Sequence, residues 1–395
     1  MKPWTRYAYT TALALAALAA ACGGSSSSNS GTLRLALTDA PACVDYKAVN
    51  VTVQKVRVHQ SSSAGDSDAG WSEVVLSSAK RVNLMVLTNG VLEELGETAL
   101  PAGRYTQMRL VLSANSPNNP FANSVVLANN AEIALDTPSG TQSGLKMNVG
   151  VDVPDGGFAD IVLDFEACKS VVKLGNSGRY NLKPVIAVMP RVTGPGLRVI
   201  GYVSPSLDPS TTSVSVQFNG IPAKSTPPDS TGKFVLYPVP VGVYDLVVNA
   251  QGRVTATITG VPVVADANTT VNASTAVIDP PVSTATHTAS GEVTTGATPI
   301  DATVKAIKSY TGGPSVSVAD GPVDGTTGSF AYTLPSGAPV KTAYAASATS
   351  LAFTADAASP TGLYTLSASA GSVTKSAPPT DLTSVDSTDI VLTFP

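Results

Sequence analysis

The sequence predicts an all-β protein: an N-terminal β-rich, sandwich-type domain followed by two small β-sandwich modules. Three observations predict it. The chain carries 33 Gly and 29 Pro among 395 residues, with Ser, Thr and Val abundant, a composition of strands and turns. Apolar residues recur at period two in short runs separated by Gly, Pro, Asp and Ser clusters. No stretch beyond the first 22 residues sustains a helical apolar period. Charged residues make up 13%, against about 25% in an ordinary soluble protein. With a net charge of −4 and no basic block, phosphate neutralisation is unavailable, which excludes nucleic acid as a partner and a polybasic membrane-surface mode. A hydrophobic content of 43% is enough for packed cores, so global disorder is excluded as well.

The elements follow in chain order. Lys2 and Arg6 precede an apolar run from Ala12 to Ala21 that is too short to span a bilayer as a permanent helix and reads as a signal segment. Leu18, Ala19, Ala20, Ala21 and Cys22 resemble the lipobox of bacterial lipoproteins, with Ala19 where that motif prefers Leu. The resemblance implies lipidation of Cys22 and a membrane anchor, with residues 23–31 as a Gly/Ser tether. Gly23 after the Cys implies the outer membrane of a diderm bacterium as the address.

From Thr32, Leu33, Leu35 and Leu37 alternate with Arg34 and Ala36, and the strand stops at Asp39 and Pro41. Next, Val49, Val51 and Val53 lie on one parity but Val56 and Val58 on the other, so a β-bulge is expected near Gln54 and Lys55. Residues 61–70 form a Ser/Asp/Gly loop, and further strands are expected at 74–76, 82–87, 106–112, 125–127, 132–135, 161–165 and 184–188. A turn element P-x-G-x-Y recurs at Pro101/Gly103/Tyr105, Pro240/Gly242/Tyr244 and Pro360/Gly362/Tyr364. Proline fixes φ entering such a turn, glycine permits positive φ, and tyrosine starts a strand with a large face to pack. A T-G-x-F element recurs at Thr231/Gly232/Phe234 and Thr327/Gly328/Phe330. Two similar modules therefore fill the C-terminal half, the second with an insertion over about 338–359.

Gly/Pro punctuation cuts the chain into a domain at 32–192 and modules at 196–280 and 284–395. From Gly196 onward there are only 8 Lys or Arg and 13 Asp or Glu, a single one of them Glu.

The first domain resembles DUF4382, a bacterial lipoprotein domain family of unknown function. The resemblance is carried by Leu37 to Pro41, by Val51 to His59, by Leu100 to Tyr105 with Arg109 and Leu110, by Pro138 to Lys146, and by Asp164, Phe165 and Tyr180 to Pro184. It implies no catalytic residues. The later modules resemble carboxypeptidase-regulatory-like or transthyretin-like sandwiches through Gly201, Val203, Gly232, Phe234 and the P-x-G-x-Y turn.

With Cys22 assigned to lipid, Cys43 and Cys168 remain, and an oxidising compartment predicts that they form one disulfide, weighed against two separately buried thiols; the bridge would close a loop of about 125 residues worth roughly 4–5 kcal/mol in the chain-entropy model. His59 and His287 lie in different domains, which disfavours acid-base catalysis. Ser77/Lys80 and Ser143/Lys146 satisfy S-x-x-K, without the K-T-G that a serine enzyme of that type carries. Asp152, Asp155, Asp160 and Asp164 are the candidates for Ca²⁺, weighed against a solvated strand face bearing Asp160, Asp164 and Glu166. The Gly-rich segment with Ser139, Gly140, Ser143, Gly144 and Lys146 is the candidate recognition loop. No cofactor is implied. The expected role is non-enzymatic binding of a protein or glycan partner, with the sandwiches as spacers; the alternative is an envelope hydrolase, or a Ca²⁺-dependent module, using Asp39 and the 152–166 carboxylates.

Overall fold

The computed structural model describes residues 29–39, 45–138, 140–192, 194–346, 351–358 and 360–395. The signal segment, Cys22, Cys43 and Ser139 lie outside the described residues. The fold is all-β, and none of its described helices is long and apolar enough to cross a membrane.

The first part contains β1 (Ser30–Asp39), β2 (Tyr46–His59), β3 (Ser72–Asn83), β4 (Glu93–Pro101), β5 (Gly103–Leu112), β6 (Ser124–Leu127), β7 (Glu132–Asp136), β8 (Leu145–Val153), β9 (Phe158–Phe165), α1 (Ala167–Ser170), β10 (Val171–Lys173), β11 (Tyr180–Leu182) and β12 (Ile186–Pro190). A four-stranded sheet in the order β12-β9-β1-β4 faces a larger one in the order β10-β11-β7-β6-β2-β5-β8, with β3 beside β2. Leu33, Leu35 and Leu37 of β1 and Val49, Val51, Val53, Val56 and Val58 of β2 are all buried in the core between them. The parity switch in β2 is a bulge: pairing with both β3 and β5 shifts between Val53 and Lys55. One expected strand ends early. Residues 84–86 form a 3₁₀ turn because the Asn83 side chain accepts the Met85 N–H at 3.1 Å and diverts the backbone from the ladder.

The second part contains β13 (Val199–Tyr202), β14 (Thr212–Phe218), β15 (Ile221–Thr226), β16 (Lys233–Leu236), β17 (Gly242–Ala250), β18 (Ala256–Val263) and β19 (Thr269–Thr270). The third contains β20 (Thr286–Thr294), β21 (Thr303–Ser309), β22 (Ser315–Pro322), β23 (Ser329–Pro335), β24 (Val340–Ala343), β25 (Thr354–Ala355), β26 (Leu363–Ala370), β27 (Val373–Ser376), β28 (Thr380–Asp381) and β29 (Ser387–Thr393). The two share one topology. β16-β13-β19 corresponds to β23-β20-β29, each with an antiparallel and a parallel neighbour on the central strand. β15-β14-β17-β18 corresponds to β22-β21-β26-β27. The T-G-x-F glycines make this possible: at Gly232 (φ +83°) and Gly328 (φ +71°) a Cβ would lie 2.1 Å from Val203 O and 1.9 Å from Val293 O. In both, the glycine carbonyl accepts the N–H of that same valine.

The insertion does not stay with its own module. β24 runs parallel to β18 and β25 follows it, extending the second sheet to six strands, and Val340, Tyr344, Leu351 and Phe353 join that core. Tyr310 of the third part reaches into the second as well, its hydroxyl 2.9 Å from Thr257 Oγ1.

The recurrent tyrosines are used in two ways. Tyr105 and Tyr244 each donate to the carbonyl of the proline four residues upstream, Pro101 at 3.0 Å and Pro240 at 2.9 Å, clamping their own turn. Tyr364 instead donates to Pro335 O at 2.6 Å, tying two distant segments.

Candidate functional site

Two polar clusters gather several of the side chains singled out in the sequence, among them His59, Arg109, Asp39 and Asp164. The first lies on β2, β5 and the 61–70 loop. β2 ends at His59, whose Nδ1 accepts the Ser61 N–H at 2.8 Å and whose Nε2 lies 2.9 Å from Ala69 O, so the ring closes the loop. Trp71 donates to Gly65 O at 2.8 Å and is stacked by both Arg57 and Arg109, 4.5 and 4.8 Å from its ring centre. Arg109 is buried. It donates to Ala64 O at 3.0 Å and Ser143 O at 3.1 Å and pairs with Asp66, so one guanidinium fastens the 61–70 loop and the Gly-rich segment together. Burial, followed by the charge of Arg57, lowers its pKa.

That fastening fixes the proposed recognition loop. Gly144 (φ +80°) packs where a Cβ would meet Val111, Arg109 and Leu110 O. Lys146 is not in a loop: it belongs to β8 and sits opposite Arg109. Gly140 also packs closely, against Leu145 and Leu112.

The second cluster is a junction of all three parts. Asp164 on β9 pairs with Lys224 of β15, and the two side chains are only 1% and 2% exposed. Lys224 Nζ also donates to Asp39 O at 3.3 Å. Asp39 Oδ1 accepts the Ala167 N–H at 2.9 Å, while its buried Oδ2 has no hydrogen-bond partner among the described residues. Burial, with the Asp164 charge adding to it against the Ala167 hydrogen bond, holds the Asp39 pKa well above the usual carboxylate range. Burial also raises Glu166, which pairs with Lys169 at 2.8 Å. Lys169 reaches Asp320 of the third part at 2.9 Å; burial would lower its pKa, but Glu166 and Asp320 together raise it. Beside this junction the Asn89 turn (φ +59°) docks on β15 and β16, its N–H donating to Thr226 Oγ1 at 2.7 Å and its Nδ2 to Lys233 O at 3.3 Å.

The carboxylates of 152–166 are therefore dispersed. Asp152 pairs with Arg104 at 3.1 Å, Asp160 lies 3.8 Å from Arg34, Asp155 is exposed in the 154–157 turn, and Asp164 faces Lys224. No group of three or more potential metal ligands converges among the described residues. The solvated strand face is corrected too, since Asp164 and Glu166 point into a junction rather than into water. Sequence reasoning gave no role to Lys224, Lys169 or Trp71. A lysine on a short edge strand far down the chain carries no local signal of its partner.

In the third part His287 lies 3.2 Å from Asp386 on the surface. Of the S-x-x-K pairs, Ser77 is exposed and Ser143 offers only its carbonyl, to Arg109.

Residues 30–184 match the family model described as "Domain of unknown function (DUF4382)". The matched segment thus holds β1 to β11, and it contributes Asp39, Asp164, Glu166 and Lys169 to the junction. No curated protein matches the chain. Among solved structures, a chain of a type II cohesin–X–dockerin complex from Acetivibrio cellulolyticus is 24% identical over 22% of this chain and 59% of its own, with a TM-score of 0.19. The Bacillus anthracis TIE protein is 10% identical over 93% of this chain and 50% of its own, with a TM-score of 0.16. A streptococcal ancillary pilin is 9% identical over 91% and 99%, with a TM-score of 0.17. The chain spans somewhat over half the length of the cohesin–dockerin chains it matches, 59% and 56%. Overlaps with TM-scores this low carry no functional information.

Proposed function

We propose that this chain is a lipid-anchored protein of the bacterial cell envelope with a non-enzymatic binding role, in which residues 32–192 engage a protein partner and the two sandwich modules support them. The observation that carries it is the use of the polar motif residues: His59, Arg109, Asp39 and Asp164 all fasten loops or modules in place. The anchor rests on the lipobox-like run ending at Cys22 and the outer-membrane address on Gly23. The Cys43–Cys168 bridge belongs to the same reading. Cys168 is the second residue of α1, whose first N–H is held by Asp39, four residues before Cys43.

The docking face in this reading is a groove of about 650 Å³ between β8 and β12. Both strands are sheet edges among the described residues, so unpaired backbone donors and acceptors flank Val149 on β8 and Val188 on β12, with Ile161 of the interior strand β9 lining the groove between them. That combination suits an extended protein segment better than a glycan, which needs convergent polar side chains. The test is affinity capture by the full chain from its own envelope fraction, compared with Val149→Lys and with Val391→Lys on the far module. Capture of one protein, lost in Val149→Lys and kept in Val391→Lys, is expected. Equal capture by all three, or binding to a glycan array instead, overturns the reading. Cys22→Ser is expected to release the chain from the membrane fraction.

A further inference from the structure

We propose that Lys224 and Asp164 condense into an intramolecular amide that welds the second module to the matched segment. Three features of the junction point there. The amine and the carboxylate face each other with 2% and 1% of their side-chain surface exposed, so the partners are fixed and water is largely excluded from the bond that would form. The ammonium is held on its other side by Asp39 O at 3.3 Å, which limits the directions in which Nζ can turn. Asp39 Oδ2 is a buried carboxyl oxygen without a partner among the described residues, a costly arrangement unless the group has a use or carries a proton. Such a carboxyl beside a reacting pair is the acid an acyl transfer needs.

The step balances without any co-reactant. One proton passes from Lys224 Nζ to the Asp164 carboxylate, leaving a neutral amine and a carboxylic acid. The amine lone pair attacks Cγ of Asp164 to give a tetrahedral centre. A second proton moves from nitrogen to the hydroxyl oxygen, relayed by Asp39, and the C–O bond breaks as water leaves. The products are one amide and one water, and nothing is oxidised or reduced. Holding the two groups together in a dry site supplies in advance the proximity and orientation that the condensation needs. Asp39 supports this step because its burial favours the protonated form.

A structural ion pair would look the same in every respect but the covalent bond, so the test reads the bond. The full chain, purified folded, is denatured, reduced and digested with trypsin. The expected product is a branched peptide joining 147–169 to 199–233, lighter than the sum of the two by one water and uncleaved after Lys224. Lys224→Arg, which keeps the positive charge, is expected to lose it entirely, and Asp39→Asn to lower the linked fraction at equal times after folding. If the wild-type chain yields only separate peptides with normal cleavage after Lys224, the proposal is wrong, and this reading does not depend on any variant folding. An undiminished linked fraction in Asp39→Asn would remove Asp39 from the step.

Discussion

The buried Asp39 carboxyl makes a prediction about pH. Its pKa is raised well above the ordinary 3.8, so between 3.8 and the folded value the native chain binds one proton that the unfolded chain has released. Its contribution to stability is therefore complete below the unfolded value and is lost as pH rises through the folded one. Across that window stability falls by about 1.4 kcal/mol per pH unit from this group alone. Asp39→Asn removes the proton and the slope together. The amide oxygen can still accept the Ala167 N–H, while the NH₂ takes the place of Oδ2, which has no partner among the described residues, and adds a buried donor worth about 1–3 kcal/mol of destabilisation. The variant should thus be the less stable protein near pH 4 and gain on the wild type with each unit above it. Burial is the leading cause of the shift, so the expectation holds whether the Lys224–Asp164 pair is ionic or condensed. The assay is urea unfolding followed by circular dichroism at half-unit steps from pH 4 to 7. Parallel stability curves for the two proteins would refute the reasoning, because they would mean that Asp39 is ionised in the fold from the start.

Other predictions are local. Arg109→Ala removes charged hydrogen bonds to Ala64 O and Ser143 O, worth about 1.5–3 kcal/mol each; hydrogen exchange should speed up in both 61–70 and 140–144 together, and a change in one alone would mean that Arg109 does not couple them. Gly232→Ala and Gly328→Ala should each cost about 2–4 kcal/mol, from left-handed strain plus displacement of a β-sheet carbonyl, whereas Gly371→Ala (φ +58°, open space around it) should cost about 1–2 kcal/mol. Equal melting shifts in all three would contradict the close approach. Tyr364→Phe loses a hydrogen bond to Pro335 O worth about 1 kcal/mol, and its effect should appear as faster exchange near 335, whereas in Tyr105→Phe the change should stay within its own turn.

Much of the fold was legible because its signals are local. Period-two runs set which face of β1 and β2 is buried, and the parity switch at Gln54 and Lys55 announced the bulge, since a strand that changes parity must absorb a residue to keep its apolar side chains on the core. Turn chemistry at Gly232 and Gly328 exposed the repeat, because only glycine fits where a neighbouring carbonyl lies that close. The same locality sets the limit of what is legible. Asn83 takes the backbone out of its strand through one side-chain hydrogen bond, and the Gly-rich neighbours of Lys146 mask the start of β8.

What the sequence by itself determined was the class of structure, the repeat in the C-terminal half and the carboxylate side of the junction, Asp39, Asp164 and Glu166, each encoded in a local run of residues. What only the tertiary structure decided was which of them meet. Asp164 finds its partner 60 residues away on another module, and the 340–355 strands leave their own module for a neighbouring sheet. The physical reason is that an edge strand offers its backbone bonds to any edge of matching shape, and a buried charge is satisfied by whichever opposite charge packing brings to it. Neither preference is written in the residues flanking it.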